Sequence, residues 1–156
     1  MNNTKIVGDF GEALVALFLS SVVKTPVNWV GFSNYPYDIE IPIPDGRYFT
    51  KPTLISVKTR TRERLGYQIP PSKEDIERVR KDFRKWDFWV AYVRYVIDRR
   101  SKKDFKLKTI CYLINTNKLK FPRDFNLKSP EKEHLILVKS IVEKADYIIK
   151  STSFED

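Results

Sequence analysis

The chain carries a single cysteine and a single histidine in 156 residues. One thiol cannot close an internal disulfide, and one imidazole cannot build a histidine-rich metal cage. A zinc site of the cysteine type is excluded as well. Cys111 lies in the apolar run from Thr109 to Ile114 and is expected to be a small core residue rather than a nucleophile. Long hydrophobic runs are also missing. The stretch from Ala13 to Leu19 is too short to cross a bilayer, and Asp9 and Glu12 precede it, which a secretory signal would not carry. No membrane association is therefore expected, and a cytoplasmic location is. A bound metal would have to be held by oxygen, chiefly from carboxylates.

Charge, by contrast, is plentiful and unbalanced. Lys and Arg number 29 against 20 Asp and Glu, a formal net charge of +9, which favours anionic partners, nucleic acid or a membrane surface, and by itself also suits a merely soluble protein. With 42% hydrophobic residues the chain has the composition of one globular domain over residues 1–156. At that length, folding buries roughly two-thirds of the surface that the unfolded chain exposes.

Periodicity predicts the elements. Apolar residues Ile6, Phe10, Ala13, Leu14, Leu17 and Phe18 recur at three- and four-residue intervals, so residues 4 to about 23 read as a helix capped by Thr4. After Glu12 it is apolar nearly all round and is expected to be well buried. Gly8 and Gly11 each cost such a helix about 1 kcal/mol relative to alanine, which predicts close backbone packing at both. Strands are expected over 27–32, 37–41 and 53–60, with Asp45-Gly46 as a turn signal before the third. A short strand at 66–69 ends in Pro70-Pro71. Ser72 then caps a second helix with Glu74 and Asp75 in its first turn, running to about Lys85 with Ile76, Val79 and Phe83 inward. Residues 87–97 and 108–114 read as strands. Ser129-Pro130-Glu131 opens a further helical spacing through Leu135, Val138, Ile141, Val142, Ala145, Ile148 and Ile149, although His134 to Val138 also suits a strand.

One juxtaposition carries chemistry. Alternation in Thr53–Arg60 puts Ser56 and Lys58 on one face, and Asp38 sits on the neighbouring strand, so a carboxylate and an ammonium face each other. A carboxylate at a strand end can hold Mg²⁺ beside a phosphate while an adjacent lysine serves the attacking water. An ordinary cross-strand ion pair fits the same two residues. Beyond Lys58, Arg60, Arg62 and Arg64 continue a row of positive charge, and Arg99, Arg100, Lys102 and Lys103 make a basic loop. Each can meet a phosphate; a solvated, aggregation-resistant edge is the other reading.

Gly8-Asp9-Phe10-Gly11-Glu12-Ala13, Asn34-Tyr35-Pro36-Tyr37-Asp38-Ile39 and Ile55-Ser56-Val57-Lys58-Thr59, in that order, resemble the PD-(D/E)XK superfamily of restriction-endonuclease-like nucleases. The likeness covers roughly the first 95 residues and is greatest to the branch of intron-encoded homing endonucleases and archaeal Holliday-junction resolvase-like proteins. It implies an α/β fold in αβββαβ order, a mixed central sheet flanked by helices. It also implies hydrolysis of double-stranded or branched DNA with Mg²⁺ or Mn²⁺, and a homodimer where two strands need two sites. The aspartate matched by Asp38 binds the metal, the helix glutamate matched by Glu12 supports it, and the lysine matched by Lys58 serves the water or the scissile phosphate. This sequence departs from the pattern at Ser56, where an acid is usual. Glu74, with Glu77 one turn later, or Glu40 on the face of Asp38, is then a substitute acid, and Gln68 a further polar group near the site.

Overall fold

A computed structural model describes residues 3–31, 34–61, 67–68, 71–98, 106–118 and 125–126. The chain runs through α1 (Asn3–Val22), β1 (Asn28–Trp29), β2 (Ile39–Ile41), β3 (Thr53–Arg60), β4 (Tyr67–Gln68), α2 (Lys73–Asp82), β5 (Asp87–Asp98), β6 (Lys106–Asn115), a 3₁₀ turn (Thr116–Lys118) and β7 (Phe125–Asn126). Five strands form one mixed sheet in the order β1-β2-β3-β5-β6, and β4 pairs with β7 separately. Among the described strands only β3 and β5 run parallel, over the full length of β3 from Thr53↔Asp87 to Arg60↔Arg94. A parallel pair needs a crossover, which the chain between them supplies with α2. The helical reading of residues 131–149 lies outside the described residues.

The two helices take opposite faces because β3 and β5 alternate. Ile55, Val57, Trp89, Ala91 and Val93 share a core with Val15, Phe18 and Leu19 of α1. Leu54 and Phe88 pack with Ile76 and Val79 of α2 and with Tyr37. Parity carries Ser56 and Lys58 to the α2 side with Leu54. Ser72 caps α2 as expected, its Oγ accepting from the Asp75 N–H at 3.1 Å. Cys111 is buried in the α1-side core, and burial pushes its thiol up to about 12, the value of an inert core group.

Three expectations for α1 need correction. The helix begins at Asn3, so Thr4 lies inside it rather than capping it. Nor is it buried all round: Leu17 is 67% and Ile6 61% exposed, and Phe10 is exposed apart from an edge-on contact with Tyr95 of β5 at 4.8 Å between centroids. At 100° per residue Val15, Phe18 and Leu19 form the inward arc, and Ile6, Phe10 and Leu17 fall well away from it. Close packing exists at Gly11, where a Cβ would collide with the side chain of Thr59, but Gly8 faces open space. The Asp45-Gly46 signal is a turn, though not a tight hairpin. The Asp45 carboxylate collects the N–H groups of Arg47, Tyr48 and Phe49 at 3.1, 2.9 and 2.8 Å, with Gly46 at φ 70°. The loop drops Phe49 into the core against Trp89.

Candidate active site

The ladder between β2 and β3 is only three pairs long, ending at Ile39↔Ile55, while β3 continues to Arg60. The sheet therefore forks beyond Ile55, and backbone groups on that edge of β3 need partners. Asp38 fills the crotch of the fork. Its N–H donates to the Ile55 carbonyl at 2.8 Å, and its Oδ2 accepts from the Val57 N–H at 2.6 Å. A side-chain carboxylate thus extends the ladder by one bond where the strand itself has turned away.

Two other charged groups arrive from different elements. The contact of Gly11 with Thr59 brings α1 against β3 near Lys58, and Glu12 follows immediately. Glu12 reaches toward the outer strand, where Trp29 Nε1 donates to its Oε2 at 2.9 Å. Lys58 lies one residue past Val57, close enough to act electrostatically on Asp38. Burial raises the pKa of Asp38, and the Val57 N–H and the Lys58 charge pull it partly back. Burial likewise raises that of Glu12. The Trp29 N–H opposes the rise, and the charges of Asp38 and Asp9 add to it. The charge of Asp38 thus acts on Glu12, and that of Lys58 on Asp38, an arrangement in which a divalent cation would relieve the buried negative charge.

That donor set fits a hard cation. Mg²⁺ is commonly held by one or two carboxylates, with waters and substrate phosphate completing its shell. Each acid has committed one oxygen to an N–H, and its other oxygen takes no hydrogen bond among the described residues. No three His, Cys, Asp or Glu side chains gather at one point among the described residues.

The remaining sequence candidates are distributed as follows. Ser56 is 2% exposed on the α2 side of β3, under the sheet surface rather than at its rim. Glu40 accepts from the Tyr37 hydroxyl at 3.0 Å and stands opposite Leu54, deeper in the ladder than Asp38. Glu74 is exposed in the first turn of α2, and its charge is not among those acting on Asp38 or Glu12. Glu77 pairs with Lys73 at 3.7 Å. Gln68 belongs to β4 and stands opposite Phe125 of β7. Arg60 ends β3, while Arg62, Arg64, Arg99, Arg100, Lys102 and Lys103 lie outside the described residues.

Trp29 is the group that sequence reasoning missed. It sits 17 residues from its carboxylate partner, on the exposed two-residue strand Asn28–Trp29, where nothing in the local sequence points to Glu12. The clue available was an indole at an edge strand, which needs an acceptor for its N–H wherever it is not fully solvated. No known family model and no curated protein sequence matches this chain.

Proposed function

We propose that this protein is a divalent-metal-dependent DNA endonuclease with a restriction-endonuclease-like core. The observation that carries the reading is the fork between β2 and β3, where Asp38, just ahead of β2, bonds the Val57 N–H and lies within electrostatic reach of Lys58 on β3 and of Glu12 on α1. Asp38 and Glu12 would hold Mg²⁺ or Mn²⁺, which when bound supplies charge neutralisation at a phosphate and acidifies a water. Lys58 serves the nucleophile: an ammonium at the rim orients the attacking water and balances charge gathering on the phosphate oxygens. Val57 and Trp29 keep the two carboxylates in place through their N–H groups, so neither acid has to reorganise when substrate arrives. The element order, with helices on opposite faces of a mixed sheet, supports the same reading.

The test is cleavage of supercoiled plasmid and of branched DNA in Mg²⁺ and in Mn²⁺. Activity is expected in the natural chain, with a loss of at least a hundredfold in Asp38→Ala and in Lys58→Ala. Cleavage that survives both substitutions would rule the assignment out.

A second reading has one observation of its own. Ser56 stands where the resembled family has an acid. A DNA-binding protein that retained the fold and charge without catalysis would look the same. Calorimetry with Mn²⁺ separates the two, because only the nuclease requires heat of metal binding that disappears in Asp38→Asn.

A further inference from the structure

Trp29 is half exposed although its ring nitrogen is fully engaged, with 50% of its surface open and Nε1 held 2.9 Å from Glu12. The backbone beside it is fixed to the other acid, since the Val30 N–H donates to the Asp38 carbonyl at 2.8 Å. Trp29 itself stands opposite Ile39 in the ladder, on the outermost strand of the sheet. The indole is thus tied to both acids, through its side chain to one and through the adjoining peptide to the other. What it leaves open is an aromatic surface one hydrogen bond from a proposed metal ligand.

We propose that Trp29 is a base-stacking platform that selects DNA in which a nucleotide next to the scissile phosphate is unpaired, as in a single strand, a gap or a bulge. The proposal rests on the nuclease reading for its choice of phosphate. Stacking needs a base face, and in an intact duplex both faces of every base are occupied by neighbours. An unpaired base can leave the stack and lie on an aromatic side chain, and any base will do because each has a π-face. A net charge of +9 supplies attraction for the backbone without distinguishing these substrates, so discrimination falls to the platform. The ring is also preorganised, because the bond to Glu12 has already fixed its orientation before substrate binds.

The experiment uses the full chain in metal-free buffer with two labelled oligonucleotides, a perfect duplex and the same duplex carrying one central unpaired nucleotide. Affinity is read by anisotropy and stacking by quenching of tryptophan emission. The natural chain is expected to prefer the unpaired substrate about tenfold, the scale of one base–aromatic contact. That preference should vanish in Trp29→Leu and largely persist in Trp29→Phe, which keeps a ring but not the N–H. Quenching by the unpaired substrate should be absent in both variants, since of the two remaining indoles Trp89 is buried and Trp86 packs against Phe83 in the α2-side cluster. Equal affinity of the natural chain for the two substrates, or an equal loss on both in Trp29→Leu, overturns the proposal. Cleavage without the preference would sink the platform alone, and the preference without cleavage in Mg²⁺ or Mn²⁺ would sink the nuclease reading alone. Thermal melts of both variants confirm that the fold is kept, and if Trp29→Leu fails to fold, the quenching arm with Trp29→Phe decides.

Discussion

Asp38 and Glu12 are carboxyls that the fold would rather keep protonated. Burial raises both pKa values above the ordinary 3.8 and 4.5, and the N–H groups of Val57 and Trp29 and the charge of Lys58 only partly offset it. In the unfolded chain both groups lose their protons at the ordinary values, so wherever the folded carboxyls are ionised the folded state carries charges it disfavours. That penalty is absent below the unfolded values and complete above the raised ones, and it is relieved as pH falls through them. Replacing one acid by its amide removes part of it at neutral pH. Glu12→Gln, which can still accept from Trp29, is therefore expected to melt at a higher temperature than the natural chain at pH 7 in chelator. A lower melting temperature would show that the acid pair is not a source of strain. On the proposed metal reading, Mn²⁺ would act on the same penalty by competing with protons for the carboxylates. At a hundredfold excess over Kd it should stabilise the natural chain by about 2.7 kcal/mol. The gain should shrink as pH falls through the raised values and be lost in Asp38→Asn, which differential scanning over a descending pH series would check.

Helix α1 owes its position to one point of contact and one buried arc. A Cβ at Gly11 would meet Thr59 on β3, so Gly11→Ala must push the helix outward or bend it, at a cost of about 1–3 kcal/mol for overpacking. Glu12 follows directly, and the same change should weaken metal binding as well as stability. Gly8 has no such neighbour, and Gly8→Ala should stabilise by up to about 1 kcal/mol through helix propensity. The arc gives a parallel contrast: Leu19→Ala should cost about 2–5 kcal/mol and Leu17→Ala less than about 0.5 kcal/mol in urea unfolding. This helix also marks the limit of what was legible beforehand. Strand β3 was readable to the residue, because alternation with a period of two leaves no freedom in which side chains share a face. The Ser72 cap was equally plain, being a local hydrogen bond between neighbours in sequence. The exposed face of α1 was not, because apolar residues surround the helix and only the placement of β3 decides which of them are covered. Within the site, the strand pattern put Asp38 and Lys58 in neighbouring segments, but it did not show the bond of the Asp38 carboxylate to the Val57 N–H in place of the ammonium. The Trp29 contact depends on β1 lying outside β2, an order no pattern in the sequence encodes. No membrane-crossing helix was expected, and among the described residues no helix is long and apolar enough to span one.

At the scale of the whole molecule, the surplus of nine positive charges and the small acidic fork pull in opposite directions. Two raised carboxyls repel a phosphate until a cation sits between them, while the rest of the protein attracts it. Affinity without metal should therefore come from the basic residues distributed over the chain, Arg60 at the end of β3 among them, and little of it from the fork. Backbone neutralisation releases counterions, so the logarithm of the binding constant should fall linearly with the logarithm of salt concentration, by about 0.9 per contacted phosphate on duplex DNA. Six contacts would cost about a thousandfold between 50 and 200 mM salt. Arg60→Ala should lower that slope by about one whatever the DNA sequence, because a phosphate contact carries no base information. Adding Mn²⁺ should raise affinity in the natural chain and leave Asp38→Asn unchanged, since only an occupied fork turns local repulsion into attraction. Titrations at four salt concentrations, with and without Mn²⁺, measure both effects. A slope near zero would leave the positive surplus without a nucleic-acid role, and a metal response that persists in Asp38→Asn would move the cation away from the fork.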